Sequence, residues 1–146
     1  MHLKKTNTGQ QLKFILLILF AFYGISATGQ EVKPASPPYS AFVKSNGLLF
    51  VSGQIAPPEN GTFSLSFSDE ADSVLKKIVE ILAVNKLKTS AVVSCTVYLT
   101  DIKHFDEFNA VYKKYFKTPY PSRTLVAVQQ LVRQASIEIS VIASLK

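Results

Sequence analysis

Two oppositely charged residues lie in strand-like segments of the carboxyl-terminal part of the chain. Arg123 begins the segment Arg123–Gln129, and Glu138 lies within Ser136–Ser144. A guanidinium can hold a carboxylate through two parallel hydrogen bonds, a geometry that a lysine ammonium cannot copy. A carboxylate can hold or activate a water molecule. Together, these residue types would suit a site that clamps the carboxylate of a small substrate and supplies water to it.

Strand alternation decides whether the two side chains can meet. Arg123 shares a strand face with Leu125, while Glu138 points away from the apolar face of Ile137 and Ile139. If the two strands are neighbours, both charges can face one cavity. The structural alternative is an ordinary interface or edge-strand ion pair. Residue type and spacing alone favour that alternative.

The motifs of other catalytic classes are missing from the sequence. Cys95 is the only cysteine, and the two histidines are His2 and His104. This set has no metal-ligand spacing, and neither a glycine-rich phosphate loop nor a serine nucleophile elbow is present. We expect Cys95 to be a small buried hydrophobe and His104 an exposed helix residue. The sequence therefore predicts no metal site and gives no support to a phosphate-binding loop.

Residues 1–29 have the layout of a cleavable signal peptide. Three lysines precede an uncharged apolar run at residues 14–25, and small residues follow it. The run is shorter than the roughly 18 to 20 apolar residues that a membrane-spanning helix needs. We expect cleavage after Ala27 or Gly29 and a periplasmic or secreted product without a membrane anchor. An uncleaved N-terminal anchor is the alternative.

The charge balance argues against a nucleic-acid partner. The chain has 16 basic and 10 acidic residues; without the three lysines of the leader, 13 basic residues face 10 acidic ones, a net charge of +3. These charges are spread along the chain, whereas nucleic-acid sites concentrate them. The roughly 117 residues after the leader suit a single domain with one core. With one cysteine there is no intrachain disulfide, so stability must come from packing or oligomerisation.

The order of predicted elements is β-β-(β)-α-β-α-β-β, with the third strand uncertain. A proline-containing extended arm at residues 30–37 precedes a domain at residues 38–146. Asn46-Gly47 supplies the positive φ of a tight hairpin, and Ser66 or Ser68 caps the first helix. The remaining predicted strands are Tyr39–Lys44, Leu48–Ile55, Thr62–Phe67 and Ala91–Leu99. The second helix has aromatic residues at three- and four-residue steps, which we expect in the core: Phe105, Phe108, Tyr112 and Tyr115.

This order predicts an α+β fold in which two helices cover one face of a mixed sheet. The segments Leu48–Ile55 and Ala91–Leu99 are apolar on both sides, so the other sheet face must also be covered. A symmetric oligomer would cover it.

Five segments, taken in order from residue 38 to residue 143, resemble those of the RidA/YjgF family of reactive-intermediate deaminases. They are Pro38-Tyr39, Leu49–Ile55, Phe108–Tyr112, Tyr120–Thr124 and Ile137–Ile139. The resemblance implies a chorismate-mutase-like α+β fold, a homotrimer, and small-molecule sites in the clefts between subunits. It also implies hydrolysis of small 2-imino or enamine acids to 2-keto acids and ammonia without a cofactor.

By position within these segments, the resemblance assigns roles to individual residues. Arg123 matches the arginine that binds the substrate carboxylate, and Glu138 matches the glutamate that positions the hydrolytic water. Tyr39, Ser52 and Asn109 match residues that line the same cleft. The chemistry is coherent, because a protonated imine carbon is already electrophilic and needs mainly orientation, water and one proton shuttle.

Three positions depart from the usual family pattern, and they affect the expected substrate range. Leu125 stands where a cysteine is common and makes the predicted pocket more apolar, Pro37 replaces a glycine, and Ser140 replaces a second acid. Gly53, also assigned to the substrate site, suits close backbone approach or strand bending. Deamination is the leading hypothesis. A non-catalytic ligand-binding or chaperone-like trimer is the alternative, and the modest charge gives RNA cleavage little support.

Overall fold

The computed structural model describes residues 38–56 and 66–146, and in these ranges five strands form one mixed sheet packed against two helices. The order is β1-β2-β5-β3-β4; every neighbouring pair is antiparallel except β3 and β4, which are parallel. The elements are β1 (Phe42–Ser45), β2 (Leu48–Gln54), α1 (Phe67–Val84), β3 (Val92–Leu99), α2 (Phe105–Tyr115), β4 (Ser122–Ala127) and β5 (Ile137–Ser144). The predicted α+β fold is confirmed.

Some predicted segments fall on parts of the chain outside these ranges. The leader, the arm at residues 30–37 and residues 62–65 of the uncertain third strand all lie there. Phe67, placed at the end of that strand by the sequence, is instead the first residue of α1. Within the described ranges, neither helix is long and apolar enough to cross a membrane.

The β1–β2 hairpin forms where the Asn-Gly pair predicted it. Asn46 has φ 50° and Gly47 has φ 74°, and Ser45 pairs with Leu48 across the turn. Two successive left-handed residues match the right-handed twist of the strands, so the turn fixes the register of the hairpin.

Helix α1 begins at the first of the two serines that could cap it. The Ser66 hydroxyl accepts a hydrogen bond from the Asp69 backbone N–H at 3.2 Å, and Asp69 and Glu70 place negative charge in the first turn. Such a cap is typically worth about 1 kcal/mol. The apolar face of the helix packs against the sheet through buried side chains, among them Val74 and Ile78.

The core lies between the helices and one face of the sheet. Strand β5 alternates strictly: Ile137, Ile139, Val141 and Ala143 are buried, and the residues between them face the other way. This alternation confirms that Glu138 points away from the apolar face.

The second face of the sheet is open in a single chain and carries apolar side chains among polar ones. Phe50 pairs with Val43 on one side and with Ile142 on the other, and Val126 pairs with Tyr98. Phe50 is 40% exposed, and Val43 and Val126 are also exposed. An apolar sheet face of this kind suits association with another chain.

Candidate functional site

Arg123 is the second residue of β4, on the sheet face that the helices cover. Its pairing with the buried Cys95 of β3 sets that orientation. Its guanidinium carbon lies 4.8 Å from the ring centre of Tyr112, 5.5 Å from that of Phe108 and 6.0 Å from that of Phe105. Cation–π contacts of this kind contribute roughly 0.5 to 2 kcal/mol each, according to exposure. The three rings surround the guanidinium carbon, and the planar guanidinium can bind a carboxylate through two parallel hydrogen bonds.

These contacts correct the prediction that the aromatic residues of α2 serve only as core. Phe108 and Tyr112 are buried, as predicted, and Tyr115 is half-buried. Phe105 is exposed and lies beside Arg123 instead. The three- and four-residue spacing therefore builds both the core and a frame for the arginine.

A cleft of about 230 Å³, here called the Arg123 cleft, opens beside this guanidinium. No acidic side chain is among its described lining residues, so its electrostatic character is positive. Asn109 and Lys113 come from one face of α2, four residues apart. Its described lining residues are Asn109, Tyr112, Lys113, Tyr120, Pro121 and Arg123.

Glu138 lies in a second cleft, called the Glu138 cleft, of about 730 Å³. Its pairing with Tyr98 places it on the open face of the sheet. Three other predicted site residues line this cleft with it, together with two cations that the sequence reasoning missed. The lining is Tyr39, Ala41, Ser52, Gly53, Gln54, Ile55, Lys77, Val132, Arg133 and Glu138.

The segment that carries Tyr39 is held against β2 by Ser52. The Ser52 hydroxyl donates to the Ser40 carbonyl at 2.7 Å, and the Ser52 backbone N–H donates to the Ala41 carbonyl at 3.0 Å. The register of β2 against β5 shifts between Val51 and Gln54. Irregularities of this kind often redirect residues beside a functional site. Ser52 thus positions one wall of the Glu138 cleft.

Within one chain, Arg123 and Glu138 do not share a cavity. Strand β3 lies between β4 and β5, so the condition that their strands be neighbours is not met. Cys95 faces the helices and Tyr98 faces the open side, so their strand partners Arg123 and Glu138 lie on opposite faces. Within a single chain the condition for a shared cavity is therefore not met, because the strand order could not be read from the sequence. The site between subunits that the resemblance implies stays a prediction.

Arg123 and Glu138 form no ion pair with each other within the described chain, whereas an ion pair across an interface stays a prediction. The ion pairs formed among residues 38–56 and 66–146 are Lys76–Asp72, Lys103–Asp101 and His104–Glu107. The predicted site residues are thus divided into two half-sites. Asn109 and Arg123 form one, and Tyr39, Ser52, Gly53 and Glu138 form the other.

Leu125 and Cys95 belong to the interior. Leu125 is half-buried, packs against the core and lines neither described cleft, so its assignment to the substrate pocket has no support within one chain. Burial raises the pKa of the Cys95 thiol to about 12, although the nearby charge of Arg123 opposes this shift. Cys95 is therefore a protonated core residue at neutral pH, as the sequence indicated.

His104 lies away from both clefts and joins the N-terminal ends of the two helices. Its Nδ1 lies 2.8 Å from Glu107, whose other carboxylate oxygen accepts from the Ser68 hydroxyl at 2.7 Å. The imidazole stacks on Phe67 with ring centres 4.0 Å apart. It is half-buried, where the sequence predicted an exposed helix residue.

Lys77 and Arg133 were missed because neither belongs to a recognisable pattern. Arg133 and Gln134 have φ of 55° and 60° in a turn before β5. Left-handed backbone is usually signalled by glycine or asparagine, and neither occurs there. Lys77 is adjacent to Lys76 on a helix surface, so its sequence position did not distinguish it.

Comparison with known proteins identifies the family. Residues 29–145 match the family model described as Endoribonuclease L-PSP. A RutC family protein of Aquifex aeolicus is 39% identical over 122 residues, which cover 78% of this chain and 98% of that protein. The chloroplastic Reactive Intermediate Deaminase A of Arabidopsis thaliana is 40% identical over 118 residues, which cover 80% of this chain and 63% of that protein.

The fold agrees with these sequence matches. The crystal structure of E. coli TdcF with bound serine matches with a TM-score of 0.69 and 32% identity, over 75% of this chain and 90% of TdcF. The family model matches residues 29–145, which is most of the chain. This chain therefore belongs to the Endoribonuclease L-PSP family, also known as the RidA/YjgF family.

Proposed function

We propose that this protein hydrolyses small 2-imino and enamine acids to 2-keto acids and ammonia. The observation that carries this proposal is the Arg123 guanidinium, held by three aromatic rings at the edge of a positively charged cleft. Such a group is prepared to bind a planar anion through two parallel hydrogen bonds. The name of the Arabidopsis relative, Reactive Intermediate Deaminase A, supports the reaction class.

The proposal requires the two half-sites to come from different subunits. Arg123 and Asn109 of one subunit would face Glu138, Tyr39 and Ser52 of its neighbour, and a homotrimer would join them. The exposed apolar residues of the open sheet face support association. In this arrangement Arg123 binds the substrate carboxylate while Glu138 holds the attacking water.

The reaction needs one nucleophile and one proton carrier. The oxygen of water bonds to C2 of the protonated imine while Glu138 takes one proton of that water, and the electrons of the C=N π bond pass to nitrogen. Glu138 then returns the proton to nitrogen, the C2–N bond breaks with its electrons on nitrogen, and ammonia leaves. The hydroxyl group passes its proton to Glu138 and becomes the ketone, and the released ammonia takes up that proton as ammonium. An enamine first takes a proton at Cβ to become the imine. Fixed orientation of the acid and the water supplies the principal rate advantage.

The test uses imines generated in place by an amino-acid oxidase, with keto-acid formation followed with and without the protein. We expect Arg123→Ala to lose nearly all acceleration, and Arg123→Lys to recover only part because it lacks the planar fork. Lys103→Ala, which alters an exposed lysine outside both clefts, is the matched control. Equal rates for the wild type and Arg123→Ala would remove the arginine from the mechanism.

A second candidate function is small-ligand binding without turnover, and the structure of TdcF with bound serine supports it. Stabilisation of the fold by a small carboxylate, with no acceleration of imine hydrolysis at any pH, would select it. The family description also names an endoribonuclease. Incubation of the protein with RNA tests that activity. The Glu138→Gln variant, in which deamination would be blocked, shows whether any RNA cleavage depends on the same residue.

Export is proposed on the sequence of residues 1–29 alone. The intact mass of the protein recovered from a periplasmic or culture fraction measures the N-terminus directly. Loss of residues 1–27 or 1–29 would support export with cleavage, and a full-length protein in the cell interior would contradict it.

A further inference from the structure

Two cations line the Glu138 cleft in addition to the catalytic carboxylate. Lys77 reaches it from α1, and Arg133 reaches it from the short turn Val132–Gln134 that precedes β5. Glu138 is the only acid among the described lining residues, so the lining carries one positive charge in excess. Hydrolysis of a simple imino acid does not require that charge, because Arg123 already accounts for the substrate carboxylate.

The turn that presents Arg133 has an unfavourable backbone conformation. Arg133 and Gln134 are consecutive non-glycine residues with positive φ. Such residues are costly and persist where the surroundings enforce them, commonly at ligand sites. The end of the turn is fixed by Glu70, only 2% exposed, whose Oε1 accepts from the Ser136 backbone N–H at 2.7 Å.

Helix α1 connects this anchor to the second cation. Lys77 lies seven residues after Glu70, two helical turns further along the same side. Its neighbour Lys76 is bound by Asp72 at 2.7 Å, whereas Lys77 takes part in none of the ion pairs of the described ranges. Lys77, unlike Lys76, lines the Glu138 cleft.

We propose that Lys77 and Arg133 form a subsite for a second acidic group, so that the preferred substrates are 2-imino acids with a carboxylate in the side chain. This inference rests on the proposed deamination and specifies its substrate class. The α-carboxylate binds Arg123, water attacks at Glu138, and the distal carboxylate binds the two cations. Imines of acidic amino acids have this chemistry.

The experiment compares dicarboxylic with monocarboxylic imines, generated from D-aspartate or D-glutamate by D-aspartate oxidase and from D-alanine by D-amino-acid oxidase. We expect wild type to have the higher kcat/KM for the dicarboxylic imines. Lys77→Met and Arg133→Asn should each lower the dicarboxylic-to-monocarboxylic ratio roughly ten-fold or more, the loss expected for a hydrogen bond to a charged group. Asparagine tolerates positive φ, so this variant removes the charge without removing the turn. Lys76→Met is the control and should leave the ratio unchanged.

A direct binding measurement separates failure of the subsite from failure of the deamination proposal. Titration calorimetry compares glutarate with pentanoate, which has the same chain length but a single carboxylate. We expect wild type to bind glutarate more tightly than pentanoate and Lys77→Met to lose this preference. A ratio unchanged in both cleft variants, or equal binding of the two acids, overturns the subsite. If monocarboxylic imines are still hydrolysed in that case, the proposed function stands. If no imine is hydrolysed but glutarate preference depends on Lys77, the subsite stands as a binding site.

Discussion

Gly53 packs directly against the carboxyl group of Glu138. A β-carbon at residue 53 would lie 2.8 Å from the Cδ of Glu138 and would overlap its Oε1. Gly53 lies at the irregular end of β2, on the strand beside β5. The missing side chain is thus what allows Glu138 to occupy its observed position.

Gly53→Ala should therefore impair activity more than stability. The Glu138 carboxyl group is the end of a flexible side chain and can move away from the new methyl group. We expect kcat/KM for imine hydrolysis to fall roughly ten-fold or more, because misplacement of a catalytic group by about 1 Å has effects of that order or larger. The free energy of unfolding should change by less than about 1 kcal/mol. Kinetics and denaturant unfolding on one preparation measure both.

Gly47→Ala is the control, because it should lower stability without lowering activity. Gly47 has φ 74°, and within the described part of the chain its added β-carbon would meet only the Lys146 side chain, at 3.6 Å. The substitution should destabilise the protein by roughly 1 kcal/mol through backbone strain and leave kcat/KM unchanged. If both glycine variants lost activity in proportion to stability, Gly53 would have no special relation to Glu138.

Tyr112→Phe should preserve or raise stability. The hydroxyl of Tyr112 is buried and has no hydrogen-bond partner in the described part of the chain. Burial raises the pKa of this hydroxyl, and the nearby Cys95 thiol does not reach hydrogen-bonding geometry with it. Removing an unpaired buried hydroxyl should leave the free energy of unfolding equal or raise it by up to about 1 kcal/mol. Tyr112→Leu, which removes the ring beneath Arg123, should lower carboxylate affinity.

The open sheet face should control assembly. We expect light scattering to give the mass of a trimer for the wild type and a smaller species for Phe50→Lys, because a charge would then face the buried interface. Val84, 75% exposed at the end of α1, provides the control Val84→Lys, which should remain trimeric. A stable wild-type monomer would contradict the joining of half-sites.

Acid should weaken the bridge between the two helices, which consists of the contacts of Glu107 with Ser68 and His104. The pKa of Glu107 is lowered from its ordinary 4.5, first by the Ser68 hydrogen bond and then by His104. Because the folded pKa is lower than the unfolded one, this stabilisation is present above 4.5 and is lost as pH falls through the folded value. Glu107→Gln should flatten the dependence of unfolding free energy on pH in that acid range. An unchanged slope would show that the bridge does not contribute.

Cys95 should resist thiol reagents in the folded protein. Its pKa is raised to about 12 by burial, so the reactive thiolate is scarce at neutral pH. We expect no labelling under native conditions and rapid labelling after denaturation, as measured by mass spectrometry. Fast native labelling would indicate that β3 is accessible.

The sequence by itself determined the local structure. Asn46-Gly47 made the hairpin, and the alternation of Ile137, Ile139 and Val141 directed Glu138 away from the core. Ser66 and Ser68 marked the start of α1, and the structure shows that Ser66 is the cap. These features depend on residues close together in the chain, so their patterns are visible without knowledge of the fold. The family segments likewise identified Arg123 and Glu138 as the residues to examine.

Only the tertiary structure decided where those two residues lie relative to each other. The insertion of β5 between β2 and β3, and the parallel pairing of β3 with β4, place Arg123 under the helices and Glu138 on the open face. Strand order and register come from pairings between distant segments, and a shift of one residue reverses the face of every side chain. The approach of Gly53 to Glu138 and the gathering of Lys77 with Arg133 have the same origin, since each joins residues from elements far apart in the chain.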